Sequence, residues 1–301
     1  MLTKIKLFAT ILLLITGVAM AEEYRMILPY APGSQGDPVA RVIIKNFERI
    51  TGDRIIMELM PGADSIIGIN HFKNARADLI LLGSGASIYA PVINPNLPYN
   101  VENDFDRILY VGTAPVFWIS RPGTKVKTVN DLSTQMPDFV ATYGSHGVAN
   151  IQIANHTFGT RAEVTMFKGS PDVVLNTANG TVDLGLANPN PGMVELAKAG
   201  KLTLIGSTYH EDFAIDDIVI PSVSKRLKLP QFNGSIEIAA RPGMDPARLE
   251  RLRQGLWASM QDPDTQATLR RLFVMPDATI DQRWIAQYTR DVRRRFLRYS
   301  K

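Results

Sequence analysis

Near its start, the chain alternates short apolar runs with segments that carry helical periodicity. The runs at residues 25–29, 55–59 and 78–82 are typical of buried strands. After the first run, apolar side chains recur at helical spacing from Val39 to Ile50, and Asp37-Pro38 supplies a cap and a first helical residue. This order of strand, helix and strand predicts a parallel sheet with helices on its faces.

The same alternation returns in the middle of the chain. Further strands are predicted at residues 139–143, 164–167, 182–187 and 202–205. Helices are predicted at residues 150–158, 170–175 and 193–199. The pattern therefore predicts two α/β lobes, each with a glycine-containing loop between an early strand and the helix that follows it.

Two extended runs are expected to join these lobes. Residues 116–120 and 236–240 are both apolar, and each precedes the tripeptide Arg-Pro-Gly. A pair of extended crossovers suits a hinge with one lobe inserted into the other. We expect residues 22–120 with 236–301 to form the first lobe and residues 121–235 the second, with the C-terminal helices returning to the first.

The first 21 residues have the layout of a secretory signal. Lys4 and Lys6 precede an apolar run at residues 7–15, and Ala19-Met20-Ala21 supplies the small residues of a cleavage site. The run is too short to span a bilayer, although a membrane anchor or a buried helix is an alternative. We therefore expect cleavage after Ala21 and a secreted protein.

Composition removes several classes of site. The chain has no cysteine, which excludes disulfides, thiolate metal sites and a cysteine nucleophile. The net charge is only +4, and basic residues gather near the C-terminus, at Arg290, Arg293, Arg294, Arg295, Arg298 and Lys301. Apolar residues at helical spacing among them predict an amphipathic helix with a solvated basic face. A membrane role stays open, whereas export argues against nucleic acid.

No catalytic constellation is evident. The four histidines form no metal-binding pair on a helix. Ser145 and His146 are adjacent, which suits a nucleophile and its base poorly because neighbouring side chains diverge. We expect neither catalysis nor a cofactor nor a metal, and we keep as an alternative an enzyme that uses Asp37 or His146 as acid or base.

The glycine loops are better candidates for a binding site. Each follows the carboxyl end of a strand, which is where open α/β sheets bind ligands. Amides at a helix start are unsatisfied and lie at the positive end of the helix dipole, so two such loops that face each other can hold a carboxylate. The hydroxyls of Ser34, Ser84 and Ser145 and the amide of Asn188 are expected to add hydrogen bonds.

Several of these candidates have plainer alternatives. Asp37 serves equally as a helix cap, His146 as a solvated loop residue, and Lys168-Gly169 as a surface turn. The complete candidate ligand set is Tyr30, Pro32, Gly33, Ser34, Gln35, Gly36, Asp37, Ser84, Gly85, Ser145, His146, Gly147, Lys168, Gly169 and Asn188.

Short motifs along nearly the whole chain match those of a known family. Residues 28–33, with Asp37 before Val39-Ala40-Arg41, are similar to a strand, an F/Y-x-P-G-G loop and an Asp that leads V-A-R. Other matching segments are Met60-Pro61-Gly62-Ala63, Leu97-Pro98-Tyr99-Asn100, Asp104-Phe105, Tyr143-Gly144-Ser145, Phe167-Lys168-Gly169 and Arg241-Pro242-Gly243. Taken together, the chain resembles the Bug-type periplasmic receptors of tripartite tricarboxylate transporters.

This resemblance implies a type II periplasmic-binding-protein fold, with two Rossmann-like lobes that close on a ligand like a Venus flytrap. It also implies a small carboxylate ligand and membrane transporter subunits as partners, and we expect a monomer. A sensor that presents the ligand to a membrane kinase is the alternative that keeps the binding and changes the partner.

The chain departs from the family pattern where the cleft is expected. Ser34 and Gly36 replace a Gly and a Ser or Thr, and Asp64-Ser65 replaces a Gly-Gly pair. His146 stands where small or hydroxyl residues are usual, and we expect it to give a pH-sensitive or carboxylate-pairing contact. We therefore expect a ligand choice that differs from that of the relatives.

Overall fold

The computed structural model describes residues 21–74, 77–215, 217–230 and 232–300. All but the last residue of the predicted signal peptide lie outside this part of the chain, so its cleavage stays a prediction. Among the described residues, no helix combines the length and apolar character needed to cross a membrane. The described chain folds into two α/β lobes, each built on a mixed sheet.

Strands of the first lobe are β1 (Glu23–Leu28), β2 (Arg54–Leu59), β3 (Leu79–Gly83), β4 (Asp106–Ala114) and, from late in the chain, β12 (Gly234–Ala240). Their order in the sheet is β2-β1-β3-β12-β4. Strand β1 is parallel to β2 and β3, whereas β12 is antiparallel to both of its neighbours. The three early apolar runs are confirmed as strands, with ends that shift by one or two residues.

Strands of the second lobe are β5 (Phe117–Ser120), β6 (Phe139–Thr142), β7 (Glu163–Met166), β8 (Leu184–Ala187) and β9 (Thr203–Ser207). Their order is β7-β6-β8-β5-β9, with β5 antiparallel to β8 and β9. A hairpin of β10 (Phe213–Ile215) and β11 (Ile218–Ile220) follows. The second sheet thus repeats the arrangement of the first, because three parallel strands are followed by an antiparallel strand that enters from the crossing.

Helices cover both sheets. They are α1 (Gly36–Thr51), α2 (Ile66–Asn74), α3 (Ala90–Ile93), α4 (Asp131–Thr134), α5 (Gly144–Phe158), α6 (Ser170–Ala178), α7 (Pro191–Lys198), α8 (Val223–Leu227), α9 (Pro246–Gln261), α10 (Pro263–Arg271) and α11 (Gln282–Phe296). A π-helical turn, Gly85–Tyr89, joins β3 to α3. Helix α9 packs on α1, where Ser259 Oγ donates to Ile43 O at 2.9 Å, so the C-terminal helices return to the first lobe.

The expected lobe boundary at residue 120 does not match the change of sheet. Strand β5 pairs with β8 and β9, so the chain leaves the first sheet after Ala114 and enters the second at Phe117. On the return, β12 begins at Gly234 and not at residue 236. The error has a physical reason: both extended runs are interior strands, and the crossings are the short segments just before them. Ala114 pairs directly with Gly234, so the crossings lie side by side.

Apolar packing also joins the lobes on the side of helix α5. The shared cluster contains Tyr89, Ala149, Ile153, Phe232 and Phe296. These side chains come from the π-helical turn, α5, the return crossing and α11. The cluster therefore fixes where α5 sits against the first lobe, and with it the position of the α5 N-terminus.

Candidate functional site

A small cavity lies between the lobes, at the carboxyl ends of the parallel strands. Both lobes line it with loop backbone, hydroxyl groups and amides. Its polar side chains include Tyr30, Ser34, Gln35, Asp64, Ser84, Thr142, Tyr143, His146, Asn188 and Ser235. The location is the one at which open α/β sheets hold ligands.

The first lobe contributes the start of helix α1. Ser34 Oγ donates to Ala31 O at 2.6 Å, which shapes the turn before the helix. Gln35 is buried and donates to Leu272 O at 2.8 Å. Its Oε1 accepts from Asn188 Nδ2 of the second lobe at 2.9 Å. At Gly36 a Cβ would lie 2.7 Å from Cδ2 of Tyr30, so glycine lets the Tyr30 ring lie against the helix start.

The second lobe contributes the start of helix α5, which differs from the prediction. The segment 144–147 is the first turn of the helix and not a loop before it, because α5 begins at Gly144. Thr142 of β6 explains the glycine at position 147: a Cβ there would overlap Thr142 Oγ1, which donates to Leu186 O at 2.9 Å. The helix therefore packs tightly against β6 from its first turn.

Asp64 of the first lobe caps this second-lobe helix. Its Oδ2 accepts from the amide of Ser145 at 2.9 Å and also from Ser145 Oγ. The carboxylate thus occupies the helix start, where the unsatisfied amides attract an anion.

The segment that carries Asp64 has an unusual backbone. Ala63, Asp64 and Ser65 have φ values of 46°, 50° and 74°, in the left-handed region that favours glycine. Positions 64 and 65 are those at which the family pattern has Gly-Gly. The chain therefore keeps a glycine-type turn while placing a carboxylate on it, at a cost on the order of 1 kcal/mol per residue.

His146 is buried, so its assignment as a solvated loop residue is wrong. Its Nε2 donates to Phe232 O at 3.1 Å, and its ring stacks on Tyr89 with the centroids 5.0 Å apart. Burial disfavours the charged ring and lowers the pKa of His146 from 6.5 to about 4. The side chain is therefore neutral near pH 7, and the expected pH-sensitive contact does not fall in the neutral range.

The phenols in the cavity are protonated. Burial raises the pKa of Tyr30 and of Tyr143 well above the usual value. Tyr143 OH donates to Asn188 Oδ1, which places the Asn188 amide between Tyr143 and Gln35. The hydroxyl of Tyr30 has no hydrogen-bond partner among the described residues, although its side chain lines the cavity. Ser84 is buried and also lines the cavity.

Most of the sequence-predicted residues meet at this cavity. Those that line it are Tyr30, Ser34, Gln35, Gly36, Ser84, Gly85, His146, Gly147 and Asn188. Ser145 stands at its edge through the contact with Asp64.

Five predicted residues lie outside the cavity lining. Asp37 points outward and pairs with Arg41 at 2.7 Å, so its place in the first helical turn puts it on the wrong face. Lys168 is exposed, and Gly169 is buried at the α6 start against Ala31. Pro32 and Gly33 are exposed on the outer side of their turn.

Sequence reasoning missed five polar residues of the cavity, namely Asp64, Ser65, Thr142, Tyr143 and Ser235. Asp64 was noted only as a departure from the family pattern, and that departure was the usable signal. Tyr143 precedes a glycine helix start, and Ser235 lies on an apolar strand in which nothing in the pattern distinguishes it. Among the described residues, no cluster of His, Asp or Glu suits a metal ion.

Comparison with known protein families identifies the family of this chain. The family described as "Tripartite tricarboxylate transporter family receptor" matches residues 39–297. The chain belongs to this family. As a receptor of this family it is a solute-binding protein rather than a member of an enzyme family, and the predicted resemblance is confirmed.

Individual relatives agree with this assignment. The receptor is 24% identical over 254 residues to protein BugT of Bordetella pertussis, covering 80% of this chain and 77% of that protein. Its fold matches R. palustris Rpa4515 with adipate at a TM-score of 0.82 and 17% identity, over 94% of this chain and 97% of that one. MatC from Rhodopseudomonas palustris with bound malate matches at a TM-score of 0.79 and 20% identity, over 93% and 99%. The predicted two-lobe periplasmic-binding fold is confirmed.

Proposed function

We propose that this receptor works in the periplasm, after removal of residues 1–21, and binds a small carboxylate in the cavity between its lobes. It then presents the ligand, as a monomer, to the membrane subunits of a tripartite tricarboxylate-type transporter. The observation that carries the proposal is the cavity itself, into which helix starts, hydroxyls and amides of both lobes converge. The adipate and malate seen with structural relatives support the ligand class.

Binding is proposed to use backbone amides at the start of α1 together with a few polar side chains. Tyr30, Ser34, Gln35, Gly36, Ser84 and Gly85 act from the first lobe. Ser145, His146, Gly147 and Asn188 act from the second. Because the ligand contacts both lobes, it favours the closed arrangement by its differential affinity for the two states.

The receptor is proposed to bind without catalysis. Asp37 and His146, the two side chains proposed for the enzyme alternative, lie in different surroundings. Asp37 pairs with Arg41 outside the cavity lining, and the His146 Nε2 proton is held by Phe232 O. Neither group is placed as a free acid or base against the other.

A thermal-shift screen of residues 22–301 against mono-, di- and tricarboxylates, aromatic acids and amino acids tests this function. Ligand at about 100 times its Kd stabilises the folded state by roughly 2.7 kcal/mol, on the order of 5–10 °C for a chain of this size. The hit should then be recovered unchanged by mass spectrometry. No shift with any acid would reject carboxylate capture, and conversion of the hit would favour an enzyme.

A further inference from the structure

The cavity has an unusual charge inventory for a site that takes an acid. Among the described residues that line it, Asp64 is the one that carries a formal charge, and neither Lys nor Arg is present. His146 is neutral because burial lowers its pKa to about 4. Asp64 is half-buried, so a ligand group near it is favoured when it is positively charged and disfavoured when it is negatively charged.

One oxygen of Asp64 is free to meet a ligand. Oδ2 is held by Ser145, whereas Oδ1 accepts no hydrogen bond among the described residues. Oδ1 lies beside Gly144, where a Cβ would come within 2.8 Å of it. The α5 start supplies only about half an elementary charge, so it offsets the carboxylate in part and leaves the region negative.

The field of Asp64 extends into the cavity. Burial, followed by the Asp64 carboxylate, raises the pKa of Tyr143, whose phenol lines the site. A second ligand carboxylate near this wall would therefore be repelled, in a cavity whose described lining offers it no cation.

The start of α1 suits a carboxylate. No side chain caps this helix. The Asp37 amide donates to Ser34 O at 3.2 Å and Pro38 has no N–H, which leaves the amides of Gln35 and Gly36, both in the cavity lining, as candidates for an anion. The Tyr30 ring lies against Gly36, and its buried hydroxyl has no hydrogen-bond partner among the described residues. The cavity therefore has donors for one anion at the α1 start and already holds the carboxylate of Asp64.

We infer that Asp64 is a specificity-determining residue, and that the cavity selects a ligand with one carboxylate and one positively charged amino group over di- and tricarboxylates. The ligand carboxylate binds at the amides of Gln35 and Gly36 and at the Tyr30 hydroxyl, and its ammonium group meets Oδ1 of Asp64. This inference rests on the proposed function, because it names the class of acid that the same cavity takes.

Isothermal titration with matched probes tests the inference. Succinate and β-alanine have methylene chains of the same length, and so do glutarate and 4-aminobutyrate. Within each pair, one compound ends in a second carboxylate and the other in an ammonium group. In the full secreted chain, the amino acid of at least one pair should bind about tenfold or more tightly than its diacid. Asp64→Asn should weaken that amino acid and strengthen the diacid, so that the preference is lost or reversed.

Two controls make the outcome specific. Asp37→Asn removes a carboxylate of the same lobe that lies outside the cavity lining, and it should leave the order of affinities unchanged. Asp64→Gly removes the same carboxylate and places a glycine where the backbone is left-handed. It should show the same change in preference as Asp64→Asn, and it replaces that variant in the test if Asp64→Asn folds poorly. Thermal unfolding of each variant confirms that it is folded.

The failures of the two proposals are distinguishable. A wild-type chain that prefers a diacid or triacid, with the same order in Asp64→Asn, overturns the role of Asp64 and leaves carboxylate capture intact. A chain that binds none of the acids, aminated or not, overturns carboxylate capture and this inference with it.

Discussion

The starts of helices α1 and α5 have the same local design, but only the α5 start is capped by an acidic side chain. Each follows the end of a parallel strand, begins at a glycine and has residues of its first turn in the cavity lining. At α1, Asp37 turns outward to Arg41 and no side chain caps the helix. At α5, Asp64 from the other lobe accepts from the Ser145 amide. A local motif therefore does not determine which helix start is available, since a distant residue can fill one of them.

The glycines of the two first turns allow the sharpest contrast in stability. At Gly147 a Cβ would overlap Thr142 Oγ1 and lie 2.9 Å from Thr142 Cβ, in a buried strand. We expect Gly147→Ala to lower the free energy of unfolding by about 3 kcal/mol, because neither α5 nor β6 can move aside. Denaturant unfolding measures this change.

The matched variant is Gly36→Ala at the α1 start. There the new methyl group meets the Tyr30 ring, whose edge can shift, so a loss of about 1 kcal/mol is expected. Equal losses in the two variants would contradict the tighter packing of α5 against its strand.

A smaller effect concerns the pH dependence of stability that His146 of α5 contributes. The pKa of His146 falls from 6.5 to about 4 on folding, so the unfolded chain binds more protons between those values. The contribution of His146 is fully present above pH 6.5 and is lost as the pH falls, by about 2 kcal/mol at pH 5. Unfolding of the wild type and of His146→Gln at pH 7 and pH 5 isolates this contribution. An identical pH dependence in both would contradict it.

The contact between Asp64 and Ser145 should have a coupling energy of about 1 kcal/mol. Hydrogen bonds to a charged group are worth more than this, but Asp64 is half-buried and solvent weakens the interaction. A double-mutant cycle with Asp64→Asn and Ser145→Ala on unfolding gives the value. Additive changes would show that the Ser145 hydroxyl adds nothing to the contact with Asp64, since the amide bond is retained in Ser145→Ala.

The smallest change in the free energy of unfolding is expected for substitution of Asp37, the acidic residue of α1 that points away from the cavity. Asp37 and Arg41 form an (i, i+4) pair whose arginine is largely exposed. Asp37→Asn should change the free energy of unfolding by less than about 0.5 kcal/mol. A loss above 1 kcal/mol in denaturant unfolding would mean that Asp37 supports the turn before α1 in a way that its contacts do not reveal.

The difference between local and distant contacts also explains which parts of the structure the sequence could predict. Strands and helices with a clear apolar period, such as β1 and α1, are local properties and were located to within a few residues. Strand β4 was missed, and β5 was read as a linker, because both strands take their place from pairing with distant residues. In the α1 loop, the predicted residues Tyr30, Ser34, Gln35 and Gly36 line the cavity, because the position of the backbone brings them there. The predicted residues Pro32, Gly33 and Asp37 do not, because they lie on the outer side of the turn.

The rest of the site depends on contacts that no local pattern encodes. The outward direction of Asp37 follows from its helical phase, and the burial of His146 from packing on Tyr89 and Phe232. Asp64 enters the site only because the loop after β2 lies opposite α5 once the lobes are assembled. Its departure from the family's glycine was the one trace of this in the sequence.

The side-by-side crossings limit how the lobes can move. Ala114 and Gly234 are paired, and beyond them Val116 N donates to Thr208 Oγ1 while its carbonyl accepts from Thr208 N. Because Ala114 and Gly234 are paired, we expect the two crossings to bend together, so that the lobes rotate about this pair. Opening should then relax with a single rate, and fluorescent probes placed at different points on the cleft rim should report the same time constant.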